Sequence, residues 1–543
     1  MVRQYIGARY VPAFFENSLG TAEWEAGVSY EPLTIVTYSG NSYTSKKPVP
    51  SNIGNPAANS AYWANTGNFN AQLAELTPLI ELSVREFATV ADMVTSDLQD
   101  GIFAHCATYS GNGGEGILYA ITETASSFAV PLMNGRYAEP LINNTEVHVS
   151  QFGAVGDGQT DDTAAIQKAI DYAGANGTVI IDRKECAITS TLVVSANNMA
   201  IIGSVTPEYR STLAIGNGST VSPVIDVRGR VFNMRGVHIF RRLINRQSLS
   251  GIGVRIKHPD PASDPGWYNM DAYFEKCIFM GFGIGADAYG RNIVFRDDTH
   301  FSNCMIGVHY HSKNGTEEAF SRGWIVEGCR FHSMGDEQVW TDPATCPCIA
   351  VKSDLNSITR EVVIKNNVFD GDCTCMMYYG STDGLIIDGN TVESGDRVTF
   401  GYLKRSSSNV NNYPVIQNNV VNTLPATSLG VYSDVMMYIA GARVQIKNNV
   451  IRNSMKHLIK GLQLDTGSTS LNHLIVAGNS FWISESNTDF VDPTSDIALY
   501  YTLLANTFFT TGGATGITLG QVATIENQTN VSVQNVWDSG VSV

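Results

Sequence analysis

At 543 residues the chain is longer than one ordinary core supports, so several domains or a repeat architecture are expected. Hydrophobic residues make up 43% and charged residues 16%, which excludes a disordered chain. The net charge of −16, with no basic run longer than "FRRLINR", argues against nucleic acid as a partner.

Fifty glycines against 18 prolines, with abundant Asn, Thr, Ser and Val, bias the chain towards β structure. No apolar run reaches the ~18 residues that span a bilayer, so membrane insertion is not expected. The opening "MVRQYIGARYVPAFF" lacks the apolar core and small-residue cleavage site of a signal peptide. Nine unevenly spread cysteines read as thiols folded in a reducing cytoplasm.

The first element in chain order is a small β module, placed within residues 1–66. From Trp24 to Trp63 aromatic and glycine residues alternate as in a short three-stranded unit. Its W, GxxY, YxGxxY and later W are similar to small carbohydrate-binding modules attached to chitinases. Trp24, Tyr38, Tyr43 and Trp63 either stack on sugar faces or form the core of a domain too small to have another. Residues 67–146 follow as a stem and neck. Leu73, Leu76, Ile80 and Leu82 suggest a short helix, and "GIFAHCATYSGNGGEGILYAITE" reads as strands joined by a Gly-rich turn. This unit resembles the neck before the β-helix in appendages of short-tailed phages of Gram-positive hosts.

Next comes "VSQFGAVGDGQTDDTAAIQKAIDYAGANGTVIID". An amphipathic helix is expected from Asp161 to Ala173, with Ala165, Ile166, Ala169, Ile170 and Ala173 on its apolar side. Thr160, Asp161 and Asp162 stand where short acceptors cap free amides. The stretch resembles the opening of the pectate-lyase-like right-handed β-helix superfamily, especially its phage tailspike branch. There the helix plugs the first coil, whose strand edges and core would otherwise be exposed. By this reading Asp157, Asp161 and Asp162 are structural.

The third expected domain, residues 147–543, carries a repeat. "IKNNVF", "IIDGNTV", "VIQNNVV", "QIKNNVI", "IVAGNSF" and "LLANTFF" place asparagine within apolar runs. Aligned, they give Asn367, Asn390, Asn419, Asn449, Asn479 and Asn506, at steps of 23, 29, 30, 30 and 27 residues. Ile364, Ile387, Ile416, Ile446, Val476 and Leu503 precede them by three residues; Phe369, Val392, Val421, Ile451, Phe481 and Phe508 follow by two. Cys277 and Cys329 hold the same position in earlier copies. Such a period signals a solenoid, and period-two alternation with β-branched residues makes it a β-solenoid. The fold expected is all-β: a right-handed parallel β-helix whose coils stack about 4.8 Å apart. Each asparagine is expected at a corner, in the left-handed conformation, with its amide bonded to those above and below. Two residues before this column, Glu327, Lys365, Asp388, Gln417 and Lys447 suggest an exposed ion-pair ladder.

Candidate chemistry lies just after the column. Asp370 and Glu393 each fall three residues beyond their asparagine and should stack one coil apart. With Asp372 and Asp396 they form the candidate catalytic set: two carboxylates could act as acid and base in glycoside cleavage. Asp336 and Glu337 could extend the patch, and Trp340, Tyr378 and Tyr379 could line a groove. The bland alternative is surface acids clustered by chance on an acidic protein. Cys346, Cys348, Cys373 and Cys375, as CPC and CTC one coil apart, either bind zinc or stack as buried thiols; the spacing is not that of usual zinc sites. No cofactor and no metal are expected, and no nucleophilic triad or phosphate loop is present.

The resemblance implies a virion tail protein, assembled in the host cytoplasm and acting at the host surface. Its implied partners are two further copies in a homotrimer, tail or connector proteins at the N-terminal module, and a capsular or wall polysaccharide. Three functions compete: a spike that binds and cleaves the glycan, a spike that only binds it, and a free pectate-lyase-like enzyme. The last explains neither the N-terminal module nor the missing signal-peptide pattern, and no "WID" or "RxPxxR" signature of pectate lyases is seen.

Overall fold

The computed structural model describes residues 13–14, 21–67, 84–206, 209–216, 218–242, 249–256, 271–311, 321–332, 349–353, 357–370, 374–382, 384–394, 400–403, 414–423, 435–440, 443–453, 457–461, 472–483, 488–491, 499–510, 517–518, 531–533 and 536–537. Contacts divide the chain into two compact units. One comprises residues 1–87, 93–105 and 118–139, the other residues 88–92, 106–117 and 140–543.

In the first unit, Ala13–Phe14, Thr34–Tyr38, Asn41–Ser45 and Trp63–Gly67 form a four-stranded sheet. Tyr30, Val36, Tyr43, Val49 and Trp63 make its buried core, with Trp24 and Tyr38 packed against them half-buried. Tyr43 and Trp63 are therefore core residues, as a domain this small requires. Trp24 and Tyr38 meet edge to face at 5.6 Å. The expected stem residues Leu73, Leu76, Ile80 and Leu82 lie outside the described residues. The neck strands Phe103–Thr108 and Ile117–Thr122 do flank the Gly-rich stretch.

The second unit contains the solenoid, a parallel β-helix running from Val147–His148 to Val536–Trp537. Each coil lays down a strand on each of three faces. Ala272–Glu275, Ile278–Met280 and Ile284–Tyr289 are one coil; Ile293–Arg296, His300–Ser302 and Ile306–His311 are the next. Every strand pairs in parallel with its counterpart one coil on, as Ile364 with Ile387 and Phe369 with Val392. Inward side chains therefore stack like on like. Phe279, Phe301, Phe331 and Phe369 form one such column, with successive centroids 5.0, 5.1 and 4.9 Å apart.

The asparagine column stands at the corner between the first and second faces, with all six side chains buried. Asn419 shows the pattern: its backbone N–H and its Nδ2 both donate to Asn449 Oδ1, at 2.9 and 3.0 Å, and Nδ2 also donates to Ile387 O. Asn390 in turn donates from N and Nδ2 to Asn419 Oδ1. The ladder is as expected, but the left-handed residue is its neighbour. Positive φ falls on Asn366, Gly389, Asn418, Asn448, Gly478 and Ala505, each one residue before the column. A left-handed residue would turn its amide away from the axis of stacking, so the corner divides the two tasks between adjacent positions.

Upstream the column continues as Cys329, Thr299 and Cys277. Cys329 N–H donates to Asn367 Oδ1, and Cys277 N–H to Thr299 Oγ1. Thr299 escaped the sequence template because two left-handed residues, Asp297 and Asp298, lengthen its corner by one residue. Burial pushes the Cys277 thiol up to about 12, consistent with packing and not reactivity. Outside the corner, Glu327, Lys365, Asp388, Gln417 and Lys447 align as expected, and Lys365 Nζ pairs with Glu327 at 2.8 Å.

The plug helix spans Thr163–Ala173, two residues shorter than expected, because Asp157–Asp161 forms an edge strand. Ile166, Ala169, Ile170 and Ala173 are buried, while Ala165 is half-buried. Asp162 is at the N-cap but bonds backward, accepting from Val155 N at 2.6 Å and Gly156 N at 3.0 Å. Asp161 accepts from Thr163 N at 3.0 Å, and Asp157 from Gln159 N and Thr160 N. All three carboxylates are thus occupied in holding the loop and the helix start.

Candidate functional site

The second face of the solenoid presents two outward rows. Strand alternation sends Phe279, Phe301 and Phe331 inward, so the residues on either side of each point out. One row runs His238, Ile278, His300, Arg330, Val368; the other runs Phe240, Met280, Ser302, His332, Asp370, Glu393. Asp370 and Glu393 are therefore register partners on adjacent strands, as the spacing predicted. His332 Nδ1 lies 2.9 Å from Asp370 Oδ2, both about half exposed. Asp372, Asp396, Asp336, Glu337, Trp340, Cys346, Cys348 and Cys373 lie outside the described residues. Cys375, Tyr378 and Tyr379 fall on the third-face strand Thr374–Thr382, and only its backbone is described.

Sequence reading missed the other part of this face. A depression of about 440 Å³ is lined by Arg210, His238, Lys276, Asp298, His300 and Arg330, together with Ser204, Gly236, Val237 and Ile278. Arg210, Lys276 and Arg330 are exposed, and among the described residues none forms an ion pair. His238 and His300 are half-buried, and the Nε2 atom of each is buried with no hydrogen-bond partner among the described residues. Burial, then the charge of Arg210 and the nearby His300, push the His238 pKa down to about 4. Burial, then His332 and Arg330, push His300 down to about 4 as well. Both rings are neutral at neutral pH.

The depression is therefore a basin of three cationic heads, one carboxylate and two neutral imidazoles on a protein of net charge −16. Such a set can hold an anionic group by charge-assisted bonds and orient neighbouring hydroxyls by the imidazoles. The acidic pair begins one strand beyond Arg330, where Val368–Asp370 follows Arg330–His332. Extending the repeat template upstream through Thr299 would have exposed His300 and Arg330, each one residue after its column member.

A sequence model of the family "Rhamnogalacturonase A/epimerase, pectate lyase-like" matches residues 147–194, the plug helix and first strands. No curated protein matches the sequence. Among solved structures, tailspike protein 2 of the Escherichia coli O157:H7 bacteriophage CAB120 is similar at 12% identity and a TM-score of 0.38. The match covers 89% of this chain and 53% of that one, so the chain spans about half of that tailspike's length. The tailspike of Acinetobacter baumannii phage AM24 is similar at 14% identity and TM-score 0.44, over 84% of this chain and 65% of that one. The A-module of the Azotobacter vinelandii mannuronan C-5 epimerase AlgE6 is similar at 15% identity and TM-score 0.42, over 72% of this chain and 99% of that one. Stacked parallel coils, a plug helix at the first coil and the match over that plug together lead to one conclusion: the chain contains a pectate-lyase-like parallel β-helix domain.

Proposed function

We propose that the protein is a phage tail spike or appendage that recognises an anionic host-surface glycan, capsule or teichoic acid, along the second face of its β-helix and cleaves it there. The observation that carries this reading is the continuity of that face. Arg210, Lys276 and Arg330, which form no ion pair among the described residues, lead directly into His332, Asp370 and Glu393. The basin would seat a phosphate or carboxylate of the polymer, and Asp370 and Glu393 would supply the acid and base, with Asp372 and Asp396 as the further candidates close after them in sequence. His332 would orient the Asp370 carboxyl. In this reading three copies assemble, the N-terminal module joins them to the particle, and assembly takes place in the host cytoplasm.

The test is to incubate the full-length protein with a purified teichoic acid and with a polyuronate, assaying new reducing ends and released phosphate. Asp370→Asn and Glu393→Gln should each abolish cleavage and leave binding unchanged. Arg330→Ala should weaken binding by about 10-fold or more, the worth of one charge-assisted hydrogen bond. Full activity in both carboxylate variants would remove this site. Binding that depends on Arg330 without any cleavage would establish a glycan-binding adhesin in its place.

A further inference from the structure

On the third face, away from the rows just described, Asp287 and His309 are register partners on adjacent strands, and His311 follows His309 on the same face. Each of the three offers one ligand atom, and these atoms all lie within 4.8 Å of one another. We propose that Asp287, His309 and His311 bind one Zn²⁺ ion between two successive coils of the solenoid.

The donor set selects the metal. Two imidazoles and one carboxylate are the borderline ligands that zinc takes, whereas calcium and magnesium require oxygen-rich shells. Donors about 2.0–2.1 Å from a tetrahedral zinc stand roughly 3.4 Å apart, so side-chain shifts of about an ångström, which draw the wider pairs together and part Asp287 from His311, complete the site. The carboxylate is already prepared. Asp287 is 3% exposed, and Arg255 on the preceding strand donates from Nε to its Oδ2 at 3.0 Å. That contact leaves Oδ1 as the inner ligand atom, which lies 2.5 Å from His311 Nε2. The Tyr289 ring stacks on His311 at 4.0 Å and 5°, fixing the imidazole plane. Orientation of inner ligands by an arginine and an aromatic ring is the outer-shell support that metal sites use.

Three protein ligands leave the fourth position to water or to an anionic group. Lys352, the register partner of His309 on the following strand, and Arg255 on the other side flank that position with positive charge. The sequence signal is the pair His309-x-His311, which period-two alternation places on one face of a strand. It is too short to select zinc without the Asp287 strand beneath it.

Untagged, metal-free full-length protein is titrated with Co²⁺ as a spectroscopic substitute, then with Zn²⁺ as competitor. One equivalent should bind with the visible bands of a four- or five-coordinate nitrogen and oxygen site, and Zn²⁺ should displace it. His309→Ala and His311→Ala should each reduce binding at this site at least 10-fold while circular dichroism stays unchanged. Should either alanine variant fail to fold, glutamine replaces the histidine and the same loss is expected. Absence of a saturable cobalt site would overturn the proposal, leaving Asp287 and His311 a simple ion pair. Thiolate-to-cobalt charge-transfer bands that survive both histidine variants would also overturn it, by placing the metal on cysteines.

Discussion

A buried amide is costly unless each of its donors and acceptors is met, and the column from Asn367 to Asn506 meets them with copies of itself. Asn419 Oδ1 receives two bonds from Asn390, while Asn419 gives two to Asn449 and one to Ile387 O. Asn419→Leu would remove the acceptor of two buried donors and the partner of one buried carbonyl. The expected loss is on the order of 3–5 kcal/mol, read as a lower denaturant midpoint. An unchanged midpoint would contradict the ladder. The neighbouring left-handed column explains why glycine enters it at intervals. A Cβ on Gly389 would stand 2.6 Å from Asn366 Oδ1, and one on Gly478 2.5 Å from Asn448 Oδ1. At those two positions glycine leaves room for the asparagine amide one coil back, which the spacing of asparagines alone did not reveal.

At the scale of strands, the second face ties stability to pH. His238 and His300 have folded-state values of about 4 against an ordinary 6.5, so the folded chain binds fewer protons than the unfolded chain between those limits. Their contribution is fully present above about pH 6.5 and is lost as the pH falls towards 4. His148 acts in the opposite sense. The Asp182 carboxylate, 3.4 Å from its Nδ1, raises its pKa, so its contribution is present below 6.5 and is lost as the pH rises through the folded value. Melting temperature should therefore fall between pH 6.5 and 4, and the fall should be shallower in the His238→Gln, His300→Gln double variant. An equal decline in both proteins would refute the assignment. The plug helix teaches a separate lesson. Its apolar side was readable from period 3.6, yet its start was not, because Asp161 ends a strand that pairs with the next coil.

For the molecule as a whole, the proposed assembly is a homotrimer held to the particle by the N-terminal module. A helix as short as the one expected around Leu73, Leu76 and Ile80 is marginal in isolation, and three copies about one axis would bury its apolar side. Threefold presentation would also multiply weak glycan contacts. Deleting residues 1–66 should leave a protein that binds the glycan and does not join particles. Light scattering that finds a monomer at micromolar concentration would refute the trimer, and incorporation of the truncated protein would refute the anchor. Among the described residues no helix is long and apolar enough to cross a membrane.

The sequence by itself determined the solenoid, since a column of like residues leaves its mark at every turn: Ile364 to Leu503, Asn367 to Asn506 and Phe369 to Phe508 all occupy the registers that their spacing implied. It also determined that Asp370 and Glu393 are neighbours, because both are counted from that column. Only the tertiary structure decided which residues share the basin. Arg210, His238, Lys276 and Arg330 come from four different coils with unequal loops between them, so no fixed spacing connects them. The same holds for Asp287 beneath His309 and His311. Inward positions repeat because a buried stack admits few side chains, whereas outward positions face solvent and are free to differ from coil to coil. Pattern therefore reveals the core, and chemistry emerges only once the register has set unlike residues side by side.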